Sequence, residues 1–261
     1  MNDWWDRQIQ RADHLSAQAS GSKELLAFYS QLLRAQKAIY DDLRSRRDWL
    51  PSGDLKFDLS AIRSSWTNLL EACRSHGPTS LSEEAIELSQ ASDANIDEMF
   101  LNYWQNPSDI QFFPKAALQP YGRWLVESGS NVENKERPSG RHYCPFCGGK
   151  PQVSVLQNRE SAEGGTRYLI CANCLSLWEF RRVTCVNCEE ERPAQLCYFE
   201  SAAFDHVRIE ACDTCKHYIK GVDLTRLGLA APLVDEVYAA PLDLWAREHG
   251  YSKVELNLVG V

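Results

Sequence analysis

No stretch of these 261 residues approaches the roughly 20 consecutive apolar side chains that carry a helix through a bilayer, so no membrane span is expected. The opening residues, Met1-Asn-Asp-Trp-Trp-Asp-Arg7, are charged from the outset and do not read as a secretory leader, which makes the cytoplasm the expected location. Basic segments are missing too. Net charge is −8; residues 1–139 carry 15 basic and 20 acidic side chains, residues 140–222 carry 10 of each, and residues 223–261 carry 3 and 6. None of the three offers the clustered Lys and Arg that grip a phosphate backbone, so nucleic acid is not an expected partner. A nucleophile motif, a recognisable carboxylate pair and a phosphate-binding glycine loop are also lacking. That argues against a hydrolase or an NTPase, and the chain reads as something other than an enzyme.

Cysteine, by contrast, is abundant. Eight of the ten cysteines form four Cys-x-x-Cys pairs: Cys144/Cys147, Cys171/Cys174, Cys185/Cys188 and Cys212/Cys215. In each half 23 residues separate the two pairs, and a shift of 41 residues lands every cysteine of the first half on one of the second. The paired spacing and the expected reducing compartment disfavour a disulfide framework. Two thiolates two residues apart fold into a knuckle with both sulfurs on one metal, and two knuckles joined by a hairpin complete a tetrahedral site. The eight cysteines are therefore the expected ligands of two metal ions. Zinc and iron both accept four thiolates; iron would add one-electron chemistry, whereas zinc would make the sites structural. The repeat favours sequential pairing within each half over a cross-braced arrangement joining Cys144/Cys147 to Cys185/Cys188. Eight thiolates around two divalent ions would add roughly four negative charges to the middle segment, a further argument against nucleic acid.

Gly148, after the first knuckle, permits the positive φ that such turns often need. Leu175, Glu189 and Lys216 stand in that place after the other three, which are expected to be less regular. Glu189-Glu-Glu-Arg192 reads as a solvated loop, Cys73 and Cys197 as packed thiols, and His206 and His217 as solvated side chains or donors near the last knuckle.

Periodicity divides the rest. After Ser22, a potential cap, Leu25, Leu26, Tyr29, Leu32, Leu33 and Ile39 recur largely at helical steps. Pro51-Ser-Gly-Asp54 interrupts the pattern and Leu59 to Cys73 resumes it. Ser80-Leu-Ser-Glu83 resembles a capping box, and Ser108 to Val126 is rich in aromatics. Four to six helices are expected between residues 4 and 128. Glu127 to Gly140 is dense in turn formers and reads as a linker, with a boundary near residue 135. Beyond it, short alternating runs such as Val153/Val155, Tyr168/Ile170 and Val207/Ile209 point to strands, with hairpin turns at Glu163-Gly-Gly-Thr166 and at Ser201 to Asp205. The tail regains helical character, and Pro241 should kink or split it. The expected class is α+β: an all-α domain over 1–135, small β modules over 141–182 and 183–222, and a helical tail over 223–261 that docks on another domain.

The surroundings of the cysteines carry a resemblance. Cys144-Pro-Phe-Cys-Gly-Gly-Lys-Pro151, Arg167-Tyr-Leu-Ile-Cys-Ala-Asn-Cys174, Trp178-Glu-Phe-Arg-Arg-Val-Thr-Cys-Val-Asn-Cys188 and Arg208-Ile-Glu-Ala-Cys-Asp-Thr-Cys215 with Tyr218-Ile-Lys220 resemble the formate dehydrogenase accessory protein family, FdhE. Leu233-Val-Asp-Glu236, Leu242-Asp-Leu-Trp245 and Glu248-His-Gly-Tyr251 extend the likeness over about residues 143–251; the N-terminal helices match in character and length only. Pro241 and the absence of a proline-rich finish depart from the family pattern, away from the cysteines. The resemblance implies a helical domain followed by two rubredoxin-like, zinc-ribbon-like modules. It also implies a non-enzymatic role in maturing respiratory formate dehydrogenases in the cytoplasm, contact with their catalytic subunit before export, and iron at the eight matched cysteines, with zinc as the alternative. Two other functions fit the cysteine pattern taken alone: a rubredoxin-like electron carrier, and a zinc-ribbon nucleic-acid module, which the missing basic patch disfavours. Oligomeric state is not set by the sequence.

Overall fold

The computed structural model describes residues 4–18, 21–46, 49–130, 132, 140–159 and 162–260. Nine α-helices and one mixed seven-stranded sheet lie among the described residues, an α+β fold. Contacts divide the chain into two units: residues 1–137 with 173–175, and residues 138–172 with 176–261.

The first unit holds α1 (Trp4–Gln18), α2 (Lys23–Ser45), α3 (Leu55–Ser65), α4 (Thr67–His76), α5 (Thr79–Ser89), α6 (Asp93–Gln105) and α7 (Phe112–Glu127). That is one helix more than expected, because the run Leu59 to Cys73 is two helices meeting at Trp66. Asp54 caps α3 by accepting from the Lys56 amide at 3.1 Å, and Ser92 caps α6 by accepting from the Asn95 amide at 3.3 Å. Two expected caps do not form. Ser22 precedes α2 without a side-chain bond, and Ser80 to Glu83 lies inside α5, which starts earlier, directly after Pro78. The linker boundary near residue 135 falls outside the described residues.

Leu26, Tyr29, Leu32, Leu33 and Ile39 form the buried face of α2, as their spacing requires. Within this core α7 contains Pro120. Proline has no amide hydrogen, so the carbonyl four residues earlier, that of Ala116, loses its helical donor. Gln36 of α2 replaces it: its Nε2 donates to Ala116 O at 2.9 Å and to Gln119 Oε1 at 2.8 Å, and both glutamines are buried.

The second unit contains β1 (Pro151–Arg159), β2 (Ala162–Cys171), β3 (Leu177–Glu179), β4 (Leu196–Glu200), β5 (Val207–Cys212), β6 (His217–Asp223) and β7 (Ser252–Lys253), with α8 (Pro232–Tyr238) and α9 (Ala240–Glu248). Strand order is β3-β2-β1-β6-β5-β4, with β7 beside β6. Each half of the cysteine repeat contributes three antiparallel strands, and the halves merge through parallel pairing of β1 with β6, from Val153↔Lys220 to Leu156↔Asp223.

The repeat is visible in the ladder. Tyr168↔Glu179 of the first half becomes Ile209↔Lys220 of the second, each residue 41 positions on. The pair Val153↔Ile170, however, becomes Cys197↔Ala211, in which the first partner has moved 44 positions and the second 41. The extra residues precede β4, where Pro193–Gln195 forms a 3-10 turn, and a shorter β4 recovers them. Glu163 to Thr166 is not the turn expected from its glycines. It lies within β2, with Gln157 opposite Thr166 and Arg159 opposite Ala162, and the register shift between those pairs makes Glu163 to Gly165 a bulge, with φ 80° at Gly165. In the second half the β4–β5 connection does fall at Ser201 to Asp205, where Ser201 Oγ accepts from the Ala203 amide at 3.3 Å.

A buried charged bridge crosses the face of four strands. Arg167 of β2 reaches Ser154 Oγ of β1 at 2.9 Å and Glu210 Oε2 of β5 at 2.5 Å. Between them on β6 stands Gly221, where a Cβ would lie 2.5 Å from Glu210 Oε1. The glycine leaves the carboxylate its space. Although burial works against the ionised form, Arg167 and Arg208 hold the Glu210 carboxyl below the usual range.

Pro241 opens α9 and splits the tail after Ala239, since a proline is tolerated in a helix's first turn. The tail packs on the sheet through a buried quartet: Lys220 of β6 and Lys253 of β7 face Glu236 of α8 and Asp243 of α9. Lys220 Nζ lies 3.0 Å from Glu236 Oε1, and Tyr218 Oη donates to Asp243 Oδ1 at 2.8 Å.

Replacing Gln36 with Leu leaves the Ala116 carbonyl and the Gln119 side chain buried without that donor, at a cost of about 1–3 kcal/mol in unfolding free energy. Urea titration of the Gln36→Leu chain, followed by helical circular dichroism, checks this.

Candidate metal centres

The eight paired cysteines assemble sequentially. Cys144, Cys147, Cys171 and Cys174 form one group and Cys185, Cys188, Cys212 and Cys215 another, with all four sulfurs of each within 4.8 Å of one another. Cys147 and Cys171 sulfurs lie 3.4 Å apart, Cys185 and Cys215 3.7 Å, and Cys188 and Cys212 3.8 Å. A tetrahedron with metal–sulfur bonds of about 2.3 Å has edges of about 3.8 Å, whereas a disulfide needs about 2.05 Å. Separations of 3.4–3.8 Å lie near the first figure and far from the second. The sulfur cages therefore fit a tetrahedral thiophilic ion such as Zn²⁺ or iron.

Each knuckle arises from a local turn repeated at the 41-residue step. The Cys144 amide donates to Gly149 O at 2.8 Å and the Cys185 amide to Glu190 O at 2.8 Å; Gly148 and Glu189 amides return to Cys144 O and Cys185 O at 2.9 and 3.1 Å. The residue after each pair turns left-handed: φ is 72° at Gly148, 54° at Leu175, 59° at Glu189 and 57° at Lys216. The three knuckles lacking glycine thus have the same regularity as the first, contrary to the sequence expectation. The turn geometry is imposed at the expense of about 1–2 kcal/mol per non-glycine residue in this region.

Backbone amides face the sulfurs of the second centre. The Asn187 amide lies 3.4 Å from Cys185 Sγ. Burial pushes the Cys185 thiol up and the Cys188 thiol up to about 11. At Cys212 burial also acts upward, but hydrogen bonds from the Cys215 and Thr214 amides together with those from the Cys185 and Cys188 side chains hold the thiol below its ordinary value. In the first centre Ser176 Oγ lies 3.2 Å from Cys144 Sγ. The centres differ in exposure: all four first-centre cysteines are buried, whereas Cys188 is exposed and Cys215 partly so.

Glu189 to Arg192 is more than a solvated loop. Glu189 Oε1 accepts from the Arg141 amide at 2.9 Å and sits 2.9 Å from His142 Nδ1, tying the start of the first half to the third knuckle. Glu190 Oε2 accepts from Thr214 Oγ1 at 2.8 Å, bracing the third knuckle against the fourth, and Oε1 accepts from the Arg192 amide at 2.9 Å. The bonds from Arg192 and Thr214 hold the Glu190 carboxyl well below the usual carboxylate range. From the tail, Tyr251 Oη donates to Asp213 Oδ1 at 2.8 Å and the Ser252 amide to Lys216 O at 2.8 Å. These supports depend on long-range register, which cysteine spacing does not encode.

The two histidines part company. His217 Nδ1 is 2.7 Å from the carbonyl of Cys215, against the knuckle backbone. His206 is buried away from the sulfurs, 2.7 Å from Asp235 Oδ1, and pins α8 to the start of β5. Cys73 is buried in α4, and burial pushes its thiol up to about 12; Cys197 lies on β4, 3.3 Å from Asp213 Oδ2, and is raised first by burial.

The left-handed geometry yields a stability prediction. Lys216→Gly relieves the strain at the fourth knuckle and raises stability by up to about 1 kcal/mol, whereas Gly148→Ala introduces it at the first and costs about 1–2 kcal/mol. Thermal unfolding of the two variants checks both signs.

Residues 143–182 match the family model described as FdhE, central domain, and residues 183–259 match FdhE, C-terminal domain. The FdhE homologue of Aquifex aeolicus is 29% identical, over 97% of this chain and 94% of its own. A homologue from Haemophilus influenzae is 31% identical over 76% of this chain and 66% of its own. The crystal structure of the FdhE protein from Pseudomonas aeruginosa has the same fold, with a TM-score of 0.71 across 99% of this chain and 96% of that one at 22% identity. The family models, the curated relatives and the shared fold agree: the chain belongs to the FdhE family.

Proposed function

We propose that the chain is a cytoplasmic accessory protein for formate dehydrogenase, which binds the enzyme's catalytic subunit during maturation and catalyses no reaction itself. The observation that carries this reading is the pair of four-sulfur cages in a chain of the FdhE family. In this reading Cys144, Cys147, Cys171 and Cys174 hold one ion and Cys185, Cys188, Cys212 and Cys215 a second. Iron is the proposed ion, with zinc as the alternative; iron would supply a one-electron couple and zinc a structural cross-link. The proposed division of labour follows four segments: a helical domain to residue 135, the metal modules 141–182 and 183–222, and the tail 223–261. Residues 1–139, 140–222 and 223–261 carry 15 basic against 20 acidic, 10 against 10, and 3 against 6 side chains, so none has a basic excess, which supports a protein client over nucleic acid.

One observation favours a second reading, a rubredoxin-like electron carrier. Cys188 is exposed, and a sulfur at the surface gives electrons a short exit to a partner. That reading requires iron with a reversible couple, and isolation with zinc alone ends it.

Affinity capture of the formate dehydrogenase catalytic subunit tests the leading reading. The intact chain should retain the subunit, and a Cys144→Ser, Cys147→Ser chain should lose most of the capture and of the client's activity. Undiminished capture with full client activity would leave the centres without a part in the task.

A further inference from the structure

We propose that the two centres are kinetically unequal: the second exchanges its ion with chelating ligands from solution through Cys188, while the first retains its ion. This rests on the reading of the eight cysteines as metal ligands and deepens it, by assigning one centre to metal exchange and the other to retention.

The repeat supplies an internal comparison. Both cages have four thiols, the same Cys-x-x-Cys spacing, equivalent turns 41 residues apart and sulfur separations of 3.4–3.8 Å. Intrinsic ligand strength is therefore closely matched, and access decides. In the first centre Cys144, Cys147, Cys171 and Cys174 are 2%, 0%, 0% and 1% exposed, so an incoming donor reaches the cage only after local opening of the chain. In the second, Cys188 is exposed and Cys215 partly so, while Cys185 and Cys212 remain buried. The cage has one open edge.

Exchange at that edge is a ligand substitution without change of oxidation state. Donor atoms of the incoming chelator would replace the four sulfurs one bond at a time, Cys188 first and then Cys215, Cys185 and Cys212, each new bond to the ion matching one sulfur bond broken and each released thiolate taking a proton from water. The Glu190–Thr214 bond, at 2.8 Å, holds the third and fourth knuckles together without using any sulfur. That brace keeps the cage shaped for refilling after Cys188 swings out.

The test uses the full chain loaded with zinc, whose content is first counted by elemental analysis. Excess 4-(2-pyridylazo)resorcinol is then mixed in and zinc transfer followed by absorbance. The expected record has two phases of equal amplitude, one ion each, separated by at least about tenfold in rate because the slow one waits on local opening. Cys188→Ser should abolish or accelerate the fast phase and leave the slow one unchanged, and Cys144→Ser should do the reverse. Iodoacetamide present during transfer should mark Cys188 in step with the fast phase, read by peptide mass spectrometry, ahead of Cys144 and Cys147. Two ions leaving at one rate, or loss of the slow phase in Cys188→Ser, overturns the inequality and leaves the eight-ligand reading standing. Fewer than two zinc ions per intact chain overturns both.

Discussion

Four sulfurs held at the corners of one tetrahedron constrain everything around them. As thiolates at 3.4–3.8 Å they would repel one another, and a bound cation would convert that repulsion into a cross-link between distant parts of the chain. The flanking strands need such a link. β3 has three residues and β4 five, short ladders that bury little surface by themselves. The constraint also accounts for the backbone: Leu175, Glu189 and Lys216 accept a left-handed conformation because two sulfurs on either side of a turn must converge.

Around that constraint the second unit works as one body. Parallel pairing of β1 with β6 fuses the two halves of the repeat into a single sheet, and Arg167 with Glu210 bridges its face over the space that Gly221 leaves open. The tail continues the same logic. A buried pair of lysines opposite a buried pair of carboxylates is a weak source of net stability, but it is demanding in geometry, since removing one member strands the rest. Tyr251 and Ser252 then bring the tail against the fourth knuckle.

How much of this was legible from sequence depends on the range of each interaction. The sequential grouping of the cysteines followed from the 41-residue repeat, since a knuckle is local and a hairpin nearly so. The buried face of α2 followed from helical spacing, and the split at Pro241 from proline's missing donor. Other features were closed to that reasoning. Pairing of β1 with β6 joins residues over sixty positions apart, and nothing in either strand alone announces it. Glu163 to Thr166 has the composition of a turn, yet Arg159 pairs with Ala162 beyond it, so the glycines serve a bulge within β2. The partner of Pro120 sits on another helix: Gln36 gives no sign in its own neighbourhood that it serves Ala116. Glu190 likewise looks solvated until Thr214 is placed beside it. Spacing located the sulfurs, and tertiary packing set the difference in exposure between the two cages.

The central claim is that eight cysteines of this FdhE-family chain make two all-sulfur metal centres. X-ray absorption at the edge of the bound metal, on anaerobically purified protein, measures this directly. The account predicts a first shell of four sulfurs at about 2.3 Å with no nitrogen or oxygen. A first shell with fewer than four sulfurs, or with nitrogen or oxygen ligands, would contradict it.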